Sequence, residues 1–561
     1  MKRLKAVEWG IYPNTKEDQM LKLNELLKVA KLEEVGEIEF EAGEYHFYPE
    51  YAPERVLYIS NHDEDGLKRI AFILEEVNNL TIKGNETNFK FHTDIIPFYI
   101  ESSKNITVKG ITIDYERPIY SEGEILEVNK KSMIIAIDKN KYPYEINHKR
   151  IYFIGENFKK ELTHFLEMDY QDKRPAYNTK DVFFNLDRYG LSAEFEELQE
   201  GVVKIQLVGE STFELNHTVK NKLILRHHPR SHPGFYVKDS ETICLKNITV
   251  HHSSGMAFIA QHTKDITLDK FSVKINLENE RIFTANADAT HFVYCYGKIM
   301  IQNCLFENQL DDPVNIHGIY SQVNQVISPT EIIVKLVHEQ QKGVRIGKKG
   351  ERINLIDNET MEVINENTIK SIRVMNKEYI LIELEEICDS IQVGYAVENK
   401  EYIPDVTIKN CIMRNNRARG CLLTSAGKVI VENNYISTPG AGILIEGDAN
   451  YWFESGGTNE IIIRNNIFDN CAYVMGWGQA PIQITPVVKK VVGDSRYHKK
   501  ICIEDNRFNC FDERLIFARS VVNLVFTGNE ISKNNKFEEL GSERFILKDV
   551  IEFVEKNNLF E

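Results

Sequence analysis

A short repeat recurs along most of the chain and constrains its fold more than any other feature. The unit is a β-branched strand, a polar or glycine corner and a second short strand, as in Leu245–Val250 and Leu268–Val273. The numbering of equivalent corners advances by 270 − 247 = 23, 433 − 410 = 23 and 528 − 505 = 23, and by 303 − 270 = 33 and 465 − 433 = 32 where a loop is enlarged. A period in the low twenties with short strands predicts a parallel β-helix, and the leucine consensus of leucine-rich repeats is absent.

The corner positions carry a polar residue, most often asparagine, or glycine. Asparagine tolerates a left-handed backbone and can stack as an amide ladder from coil to coil. Cys304 and Cys411 share the column of Asn434 and Asn466. The chain has nine cysteines, an odd number, and no C-x-x-C pair. We therefore interpret the cysteines as reduced thiols that serve as small apolar residues.

Two stretches, over about 119–231 and 320–402, interrupt the repeat, and their sequence pattern is typical of antiparallel sheets. Short apolar segments such as Met133–Ile137 and Tyr379–Leu384 stand between charged turns, and segments such as Glu124–Val128 mix apolar and charged residues. They predict two small antiparallel β-barrels inserted into the solenoid. At the start of the chain, a helical pattern over 16–34 and a strand–turn–strand pattern over 38–47 predict a cap for the open end of the β-helix.

These signals divide the chain into five parts. We predict a cap with the first coils over 1–118 and an inserted barrel over 119–231. Coils that carry the candidate site follow over 232–319, then a second barrel over 320–402 and the C-terminal coils over 403–561.

The charge of the chain limits its partners. There are 68 Lys and Arg residues against 84 Asp and Glu residues, so the net charge is −16. Nucleic acid and anionic membranes would be repelled, and a polyanionic substrate is disfavoured for the same reason. Glu8 interrupts the N-terminal residues before an apolar signal segment forms, and no run is long enough to span a bilayer. We expect a cytoplasmic protein that binds neither nucleic acid nor membrane, and leave a homodimer open.

Three aspartates stand out between residues 286 and 318. From Asp288 to Asp311 the numbering advances by 311 − 288 = 23, which is one coil of the predicted β-helix. Neighbouring coils stack at about 4.8 Å, so we expect Asp288 to lie under the Asp311–Asp312 pair. Pro313 follows directly and predicts a strand end, where both side chains can reach the surface.

Such a carboxylate patch suits proton transfer. Carboxylates this close cannot all ionise freely, so at least one should retain a proton while another stays charged. Those two states are the general acid and general base of glycoside hydrolysis. A polar turn is the structural alternative, and a Ca²⁺ site is a second alternative that would need further acidic ligands. We expect neither a metal nor a cofactor.

Other polar residues near the patch are candidates for binding a sugar. His291, Asn315 and His317 flank the aspartates, although a histidine in such a place is often only structural. The loop Gly447–Gly457 offers Trp452 as an apolar platform for a sugar ring. Asp448 and Glu454 of this loop, and Glu446 just before it, are candidates to bind hydroxyl groups; the alternative is a loop that packs only on its own aromatic residues. We interpret three arginines before a later strand as solvated charge: Arg414, Arg417 and Arg419.

At these residues the sequence resembles glycoside hydrolase family 110, the exo-acting α-1,3-galactosidases. The resemblance covers most of the chain, and its motifs are Ser254–Phe258, Ala287–Phe292, Gly297–Ile299, Leu310–Gly318 and Gly447–Gly456. It implies a right-handed, pectate-lyase-like parallel β-helix with β-barrel insertions, an inverting mechanism and no metal. The implied substrates are glycans with a terminal α-1,3-linked galactose, and the implied catalytic residues are Asp288, Asp311 and Asp312. Because no signal segment is evident, we expect an imported oligosaccharide as the substrate.

Two other functions remain open. Polygalacturonase-like hydrolases also combine an Asn-x-Asp with an Asp-Asp on the next coil, and Asn286–Asp288 fits that pattern. Their Gly-His-Gly and Arg-Ile-Lys motifs are absent. A non-catalytic, carbohydrate-binding β-helix is the other alternative, and it would bind sugar without turnover.

Overall fold

Three columns of parallel strands run along the molecule and form a β-helix. The computed structural model describes residues 2–185, 190–210 and 212–561. Each strand of a column pairs in parallel with a strand of the coils before and after it, for example Ile248 with Ile111 and with Phe271. The architecture is therefore the predicted all-β parallel solenoid.

The strands of the columns have the following bounds. The first column contains Arg3–Lys5, Glu37–Glu39, Thr81–Phe91, Lys104–Tyr115, Glu241–Val250, Lys264–Val273, Tyr296–Gln302, Pro404–Lys409, Lys428–Glu432, Glu460–Arg464, His498–Glu504, Ile516–Thr527 and Phe545–Lys556. The second contains Gly43–Phe47, the ends of the four long strands that begin at 81, 104, 241 and 264, and Leu305–Glu307, Ile412–Arg414, Tyr435–Ser437, Ile467–Asp469, Arg507–Cys510, Glu530–Lys533 and Leu559–Phe560. The third contains Gly66–Glu75, Ile96–Glu101, Phe235–Lys238, Phe258–Gln261, Thr290–Val293, Val314–Ile319, Cys421–Leu423, Ile443–Ile445, Ile482–Ile484 and the beginnings of the two strands at 516 and 545.

The strand register confirms the repeat steps read from the sequence. Lys246 pairs with Asp269, a step of 269 − 246 = 23, and Asp269 pairs with Gln302, a step of 302 − 269 = 33. The corner residues adopt left-handed backbone, with φ of 51° at Asn247, 57° at Asn433 and 54° at Asn465. Each corner thus turns the chain between the first and second columns.

The predicted amide ladder also forms, one residue after those corners. The side chain of Asn434 donates to Asn466 Oδ1 at 2.9 Å, and Asn466 donates to Asn506 Oδ1 at 3.0 Å. The ladder continues through Asn529. Cys411 lies in the same column, where its backbone N–H donates to Asn434 Oδ1 at 2.9 Å. All nine cysteines are free thiols.

The core fills the inside of the coils with stacked apolar side chains. Phe72 stacks on Phe98 with ring centroids 4.4 Å apart, and Phe98 stacks on Phe235 at 4.7 Å. Such residues are fully buried, and each contributes roughly 1.5–3 kcal/mol from burial. This continuous core holds the outward-facing side chains of the third column, including the candidate site, in fixed positions.

The helix and the strands predicted near the N-terminus are present. The α-helix Met20–Leu32 buries Leu23, Leu26 and Leu27 against the first coils. Short 3₁₀ helices occur at Ala6–Trp9, Glu339–Gln341 and Met475–Trp477. In the part of the chain that the structure describes, none of the helices has both the length and the apolar character needed to cross a bilayer.

Antiparallel sheets form the two interruptions of the solenoid. The first holds a seven-stranded sheet in the order Val182–Phe183, His164–Met168, Lys222–Arg226, Ser121–Val128, Ser132–Ala136, Val202–Leu207 and Ala193–Gln199, and a three-stranded sheet of Tyr144–Asn147, Arg150–Gly155 and Phe158–Glu161. The second is a closed barrel in the order Ser321–Ser328, Glu331–Lys335, Tyr379–Leu384, Val363–Val374, Arg352–Ile356 and Ala396–Asn399.

Two short strands complete the fold. Glu54–Leu57 pairs antiparallel with the strand Gly66–Glu75, and Glu454–Ser455 pairs antiparallel with Gly318–Ile319. We propose to keep 119–231 and 320–402 as the limits of the insertions.

Candidate active site

The three aspartates lie where strands of the third column begin. Thr290 pairs with Val314, so the step over this coil is 314 − 290 = 24. The expectation that Asp288 lies one coil from Asp311 was wrong by one residue, because this coil is one residue longer than the repeat. Asp288 faces Asp312, whose backbone N–H donates to Asp288 Oδ1 at 3.2 Å. One oxygen of each of the three side chains lies within 4.8 Å of the others, and all three residues are buried.

Three arginines neutralise two of these aspartates. Arg230 donates to Asp311 Oδ2, and Arg417 donates to Asp311 Oδ1 at 3.2 Å. Arg419 holds Asp312 through its backbone N–H at 2.8 Å and its Nη2 at 2.8 Å. These contacts are charge-assisted and partly bidentate, which makes them strong and geometrically specific.

The interpretation of Arg417 and Arg419 as solvated charge was therefore wrong. Asp311 and Asp312 lie on the coil before the second barrel, and Arg417 also pairs with Asp181 of the first insertion, so none of these partners is close in sequence. Arg414 is different, since it is half-exposed and pairs with Glu307 at 2.9 Å.

Burial and the arginines give the three carboxyl groups different proton affinities. Burial, with the charge of Asp311 beside it, raises the pKa of Asp288 to about 7. Burial raises the pKa of Asp312 to about 6, although Arg419 opposes it. Burial acts on Asp311 as well, but Arg230 and Arg417 outweigh it and hold the pKa of Asp311 below its ordinary value. The cluster thus keeps an ionised carboxylate beside groups that retain a proton near neutrality.

A chain of buried hydrogen bonds indicates where that proton lies. His317 Nδ1 is 2.6 Å from the carbonyl oxygen of Gly318, which can only accept, so Nδ1 carries a hydrogen. In a neutral His317, Nε2 then accepts from Nε2 of His291 at 2.8 Å. A neutral His291 has no hydrogen left for Nδ1, which lies 2.6 Å from Asp288 Oδ2. The proton in that contact therefore belongs to Asp288.

Burial keeps both histidines neutral, as this arrangement requires. It lowers the pKa of His317 to about 4 and the pKa of His291 well below its ordinary value. We infer that His291 and His317 orient the carboxyl group of Asp288 and fix its proton.

The opposite wall comes from the loop after the strand Ile443–Ile445. Glu454 accepts from Asn61 Nδ2 at 3.2 Å, and burial raises the pKa of Glu454 to about 8. Burial raises the pKa of Glu446 to about 7. Asp448 has a different environment, because its carboxylate accepts backbone N–H groups of Tyr451 at 3.0 Å and Trp452 at 2.7 Å. Asp448 thus holds the loop that presents Trp452.

A cavity of about 170 Å³ lies between these walls. Eight of the sequence-predicted residues line it: Asp288, His291, Asp311, Asp312, Asn315, Glu446, Trp452 and Glu454. His317 and Asp448 lie behind that lining. Asn315 Oδ1 is buried without a hydrogen-bond partner among the described residues, which leaves an acceptor for a ligand hydroxyl. Sequence reasoning missed further lining residues, among them Asn61, Arg230, Gln340, Leu422 and Trp477.

The electrostatics of the cluster disfavour a cation. Three guanidinium groups already contact Asp311 and Asp312, and Asp288 bonds to His291. A Ca²⁺ ion would have to displace these partners while the arginines repelled it. The calcium alternative therefore loses its support.

Comparison with known proteins identifies the family. Sequence models described as GLAA-B beta-barrel domain I and domain II match residues 121–216 and 331–397. Alpha-1,3-galactosidase B of Bacteroides thetaiotaomicron is 31% identical over 540 residues, which cover 96% of this chain and 87% of that protein. Alpha-1,3-galactosidase A of Shewanella woodyi is 33% identical over 542 residues, with the same 96% and 87% coverage. The chain belongs to the α-1,3-galactosidase family, glycoside hydrolase family 110.

The two family domains coincide with the insertions seen here. The match to domain I begins with the strand Ser121–Val128 of the seven-stranded sheet, and the match to domain II begins with the strand Glu331–Lys335 of the closed barrel. Among solved structures, the family 28 exopolygalacturonase of Yersinia enterocolitica is similar to this member of the α-1,3-galactosidase family, with a TM-score of 0.41 and 10% identity. That similarity covers 100% of this chain and 78% of the other.

Replacing Glu454 with glutamine should make the protein less sensitive to alkaline pH. The folded protein holds a proton on Glu454 up to a pKa of about 8, whereas the unfolded chain releases it near the ordinary value of 4.5. Wild type therefore loses stability as pH rises through this window, by at most about 1.4 kcal/mol for each pH unit. Glutamine has no proton to lose, so the stability of the variant relative to wild type should grow from pH 5 to pH 8.

Denaturation midpoints at pH 5, 6, 7 and 8 measure this effect. Glu214→Gln, at an exposed position in the first insertion, is the matched control and should follow wild type at every pH. A constant difference between Glu454→Gln and wild type across the range would show that Glu454 ionises normally in the folded protein.

Proposed function

We propose that this protein is an exo-acting α-galactosidase that hydrolyses terminal α-1,3-linked galactose with inversion at the anomeric carbon. The observation that carries glycoside hydrolysis is the aspartate cluster, in which protonated and ionised carboxyl groups line a small cavity, while the inverting course rests on the family resemblance. The names of its relatives, Alpha-1,3-galactosidase A and B, support the linkage and the sugar.

The cluster contains what glycoside hydrolysis needs. One carboxyl group gives its proton to the glycosidic oxygen as the bond to the anomeric carbon breaks. An ionised carboxylate accepts a proton from the water whose oxygen forms the new bond to that carbon. Asp288 holds a proton in the free protein and Asp311 is ionised, so both states are present before the substrate binds.

Cavity size supports exo action. Pockets for drug-sized ligands usually occupy roughly 300–1,000 Å³, and about 170 Å³ suits one sugar ring better than a stretch of polysaccharide. Trp452 and Trp477 line the cavity and offer apolar faces for the C–H side of a ring. Glu446, Glu454 and Asn315 supply polar atoms for its hydroxyl groups.

The charge of the lining argues against a uronide substrate. The cavity has three arginines and five acidic residues, Asp288, Asp311, Asp312, Glu446 and Glu454. Because each of these arginines already donates to Asp311 or Asp312, none is free to pair with a substrate carboxylate, which would be buried without a counter-ion. A neutral sugar is therefore preferred over the substrate of a polygalacturonase-like enzyme.

The anomer released first is the test of this proposal. Proton NMR of the protein with galactosyl-α-1,3-galactose should show β-galactose before mutarotation mixes the anomers. The carboxylate oxygens lie within 4.8 Å of one another, which is closer than the roughly 6.5–9.5 Å spacing usual for inverting enzymes and near the roughly 5–5.5 Å of retaining ones. Early α-galactose from this α-linked substrate would mean retention and would overturn the inverting mechanism. Binding without release of galactose would favour the non-catalytic alternative.

A further inference from the structure

A second cavity lies away from the aspartates, between the first insertion and the coils of the β-helix. Its volume is about 520 Å³, and its lining includes Lys90, Arg117, Tyr142, Glu156 and Arg281. Residues of the insertion form one wall and residues of the coils form the other. None of its lining residues belongs to the cavity of the aspartate cluster.

Arg281 places a guanidinium group beside this cavity, and only some of its N–H donors are hydrogen-bonded. The residue is 2% exposed, and its Nη2 donates to Asp114 at 2.9 and 3.0 Å. Its Nη1 is buried without a hydrogen-bond partner among the described residues. Lys90 shares the same carboxylate, with its Nζ 3.3 Å from Asp114 Oδ2. The buried carboxylate of Asp114 is thus shared by Arg281 and Lys90, and Nη1 of Arg281 remains as an unused donor among the described residues.

Arg117 presents a second cation, and it makes no ion pair with any residue that the structure describes. Its Nη atoms donate to neutral groups, the carbonyl oxygens of Pro118 and Tyr120 and the hydroxyl of Ser121. Its Nε is buried and has no partner in the described chain. The guanidinium carbon lies 5.2 Å from the ring centroid of Tyr142. A charge buried in this way is costly unless an anion completes its surroundings.

The remaining charges of the cavity do not supply that anion. Lys141 adds an exposed cation and lies 3.6 Å from Glu280. The carboxylate of Glu156 contacts His92 Nδ1 at 2.9 Å, and the side chain of Glu116 is exposed to solvent. The lining has four cations, Lys90, Arg117, Lys141 and Arg281, and two carboxylates, Glu116 and Glu156. Asp114 serves Lys90 and Arg281, Glu280 serves Lys141, and Glu122 lies beside Tyr142. Arg117 is therefore the lining cation that pairs with no described carboxylate.

We propose that this cavity binds a small oxyanion group, either a carboxylate or the sulfate or phosphate ester of a small polar molecule. Planar guanidinium groups donate two hydrogen bonds to such groups, and the free Nη1 of Arg281 and Nε of Arg117 are the donors available here. Tyr142 offers an aromatic face for the uncharged part of the ligand. The site is independent of the galactosidase reaction.

Thermal denaturation of the intact protein tests the proposal with sulfate, phosphate and acetate as probes. Each is titrated against sodium chloride at matched ionic strength, because a ligand that binds only the folded state raises the midpoint in a saturable way. We expect at least one oxyanion to stabilise wild type saturably and to bind at least tenfold more weakly to Arg117→Gln. The probe that binds most tightly identifies the group.

Two further variants separate a built site from general charge effects. Lys130→Gln removes one positive charge from an exposed ion pair with Glu214 and should bind the oxyanion like wild type. Lys141→Gln alters an exposed lining residue, so it should fold normally even if Arg117→Gln does not, and should bind about threefold more weakly. Stabilisation that does not saturate, or is equal in wild type, Lys141→Gln and Lys130→Gln, would overturn the proposal.

Discussion

Replacing Asp312 with asparagine is expected to lower kcat/KM for galactosyl-α-1,3-galactose by about 10²- to 10⁴-fold, the usual contribution of a general acid or base. Asparagine keeps the size of the side chain, and its carbonyl oxygen can still accept the backbone N–H and side-chain N–H groups of Arg419. It cannot exchange a proton with substrate or water, and it removes one charge from the cluster with Asp288 and Asp311. Initial rates of galactose release, measured beside the denaturation midpoint, separate lost chemistry from lost folding.

A matched control for this variant lies in the first strand column. Asp405→Asn makes the same chemical change at an exposed position whose carboxylate accepts the backbone N–H of Lys428, outside the cavity. It should keep the rate of wild type. If Asp312→Asn also keeps that rate, the aspartate cluster is not the catalytic centre, whatever the protein binds.

Much of the fold could be predicted because a β-helix repeats a local pattern. Asn247 and Lys270 occupy the same corner on successive coils, so the 270 − 247 = 23 residues between them give the register of the strands on either side. The closed barrel and the seven-stranded sheet lacked such a repeat. Alternation predicted strands there, but their order depends on pairings between distant segments.

The site was harder to predict because it depends on single-residue details of the coils. One additional residue between the strands Thr290–Val293 and Val314–Ile319 sets Asp288 against Asp312 rather than Asp311. The sequence pattern of the strands does not reveal this additional residue, because the residue lies in a turn between them. The three aspartates were still predicted to be together, because a shift of one residue moves a side chain by only a few ångströms.

The contacts of the arginines show which part of the site the repeat step could have predicted and which part it could not. Cys304 and Cys411 were already aligned in one column, a step of 411 − 304 = 107, and the same step from Asp312 leads to Arg419, since 419 − 312 = 107. Applying that step to the aspartates would have predicted the ion pair. No such step leads to Arg230, which lies at the end of the first insertion and outside the repeat, so its contact with Asp311 required the structure.

Arg417 ties the first insertion to the aspartate cluster, and its replacement by glutamine should therefore affect both stability and activity. Its guanidinium donates to Asp311 Oδ1 at 3.2 Å and, through Nη2, to Asp181 Oδ2 at 2.7 Å. Removing it leaves two buried carboxylates short of a partner, which typically costs about 3–5 kcal/mol. The pKa of Asp311 should rise as well, because Arg417 is one of the charges that hold it below its ordinary value.

Arg507→Gln is the matched control. Arg507 and its partner Glu530 are both exposed, and such surface pairs contribute only about 0–1 kcal/mol. Denaturation midpoints and initial rates for the two variants should differ strongly. A double variant, Arg417→Gln with Asp181→Asn, removes one of the stranded charges and should recover part of the stability lost in the single variant. If the effects of the two substitutions simply add, Arg417 does not couple the insertion to the β-helix through Asp181.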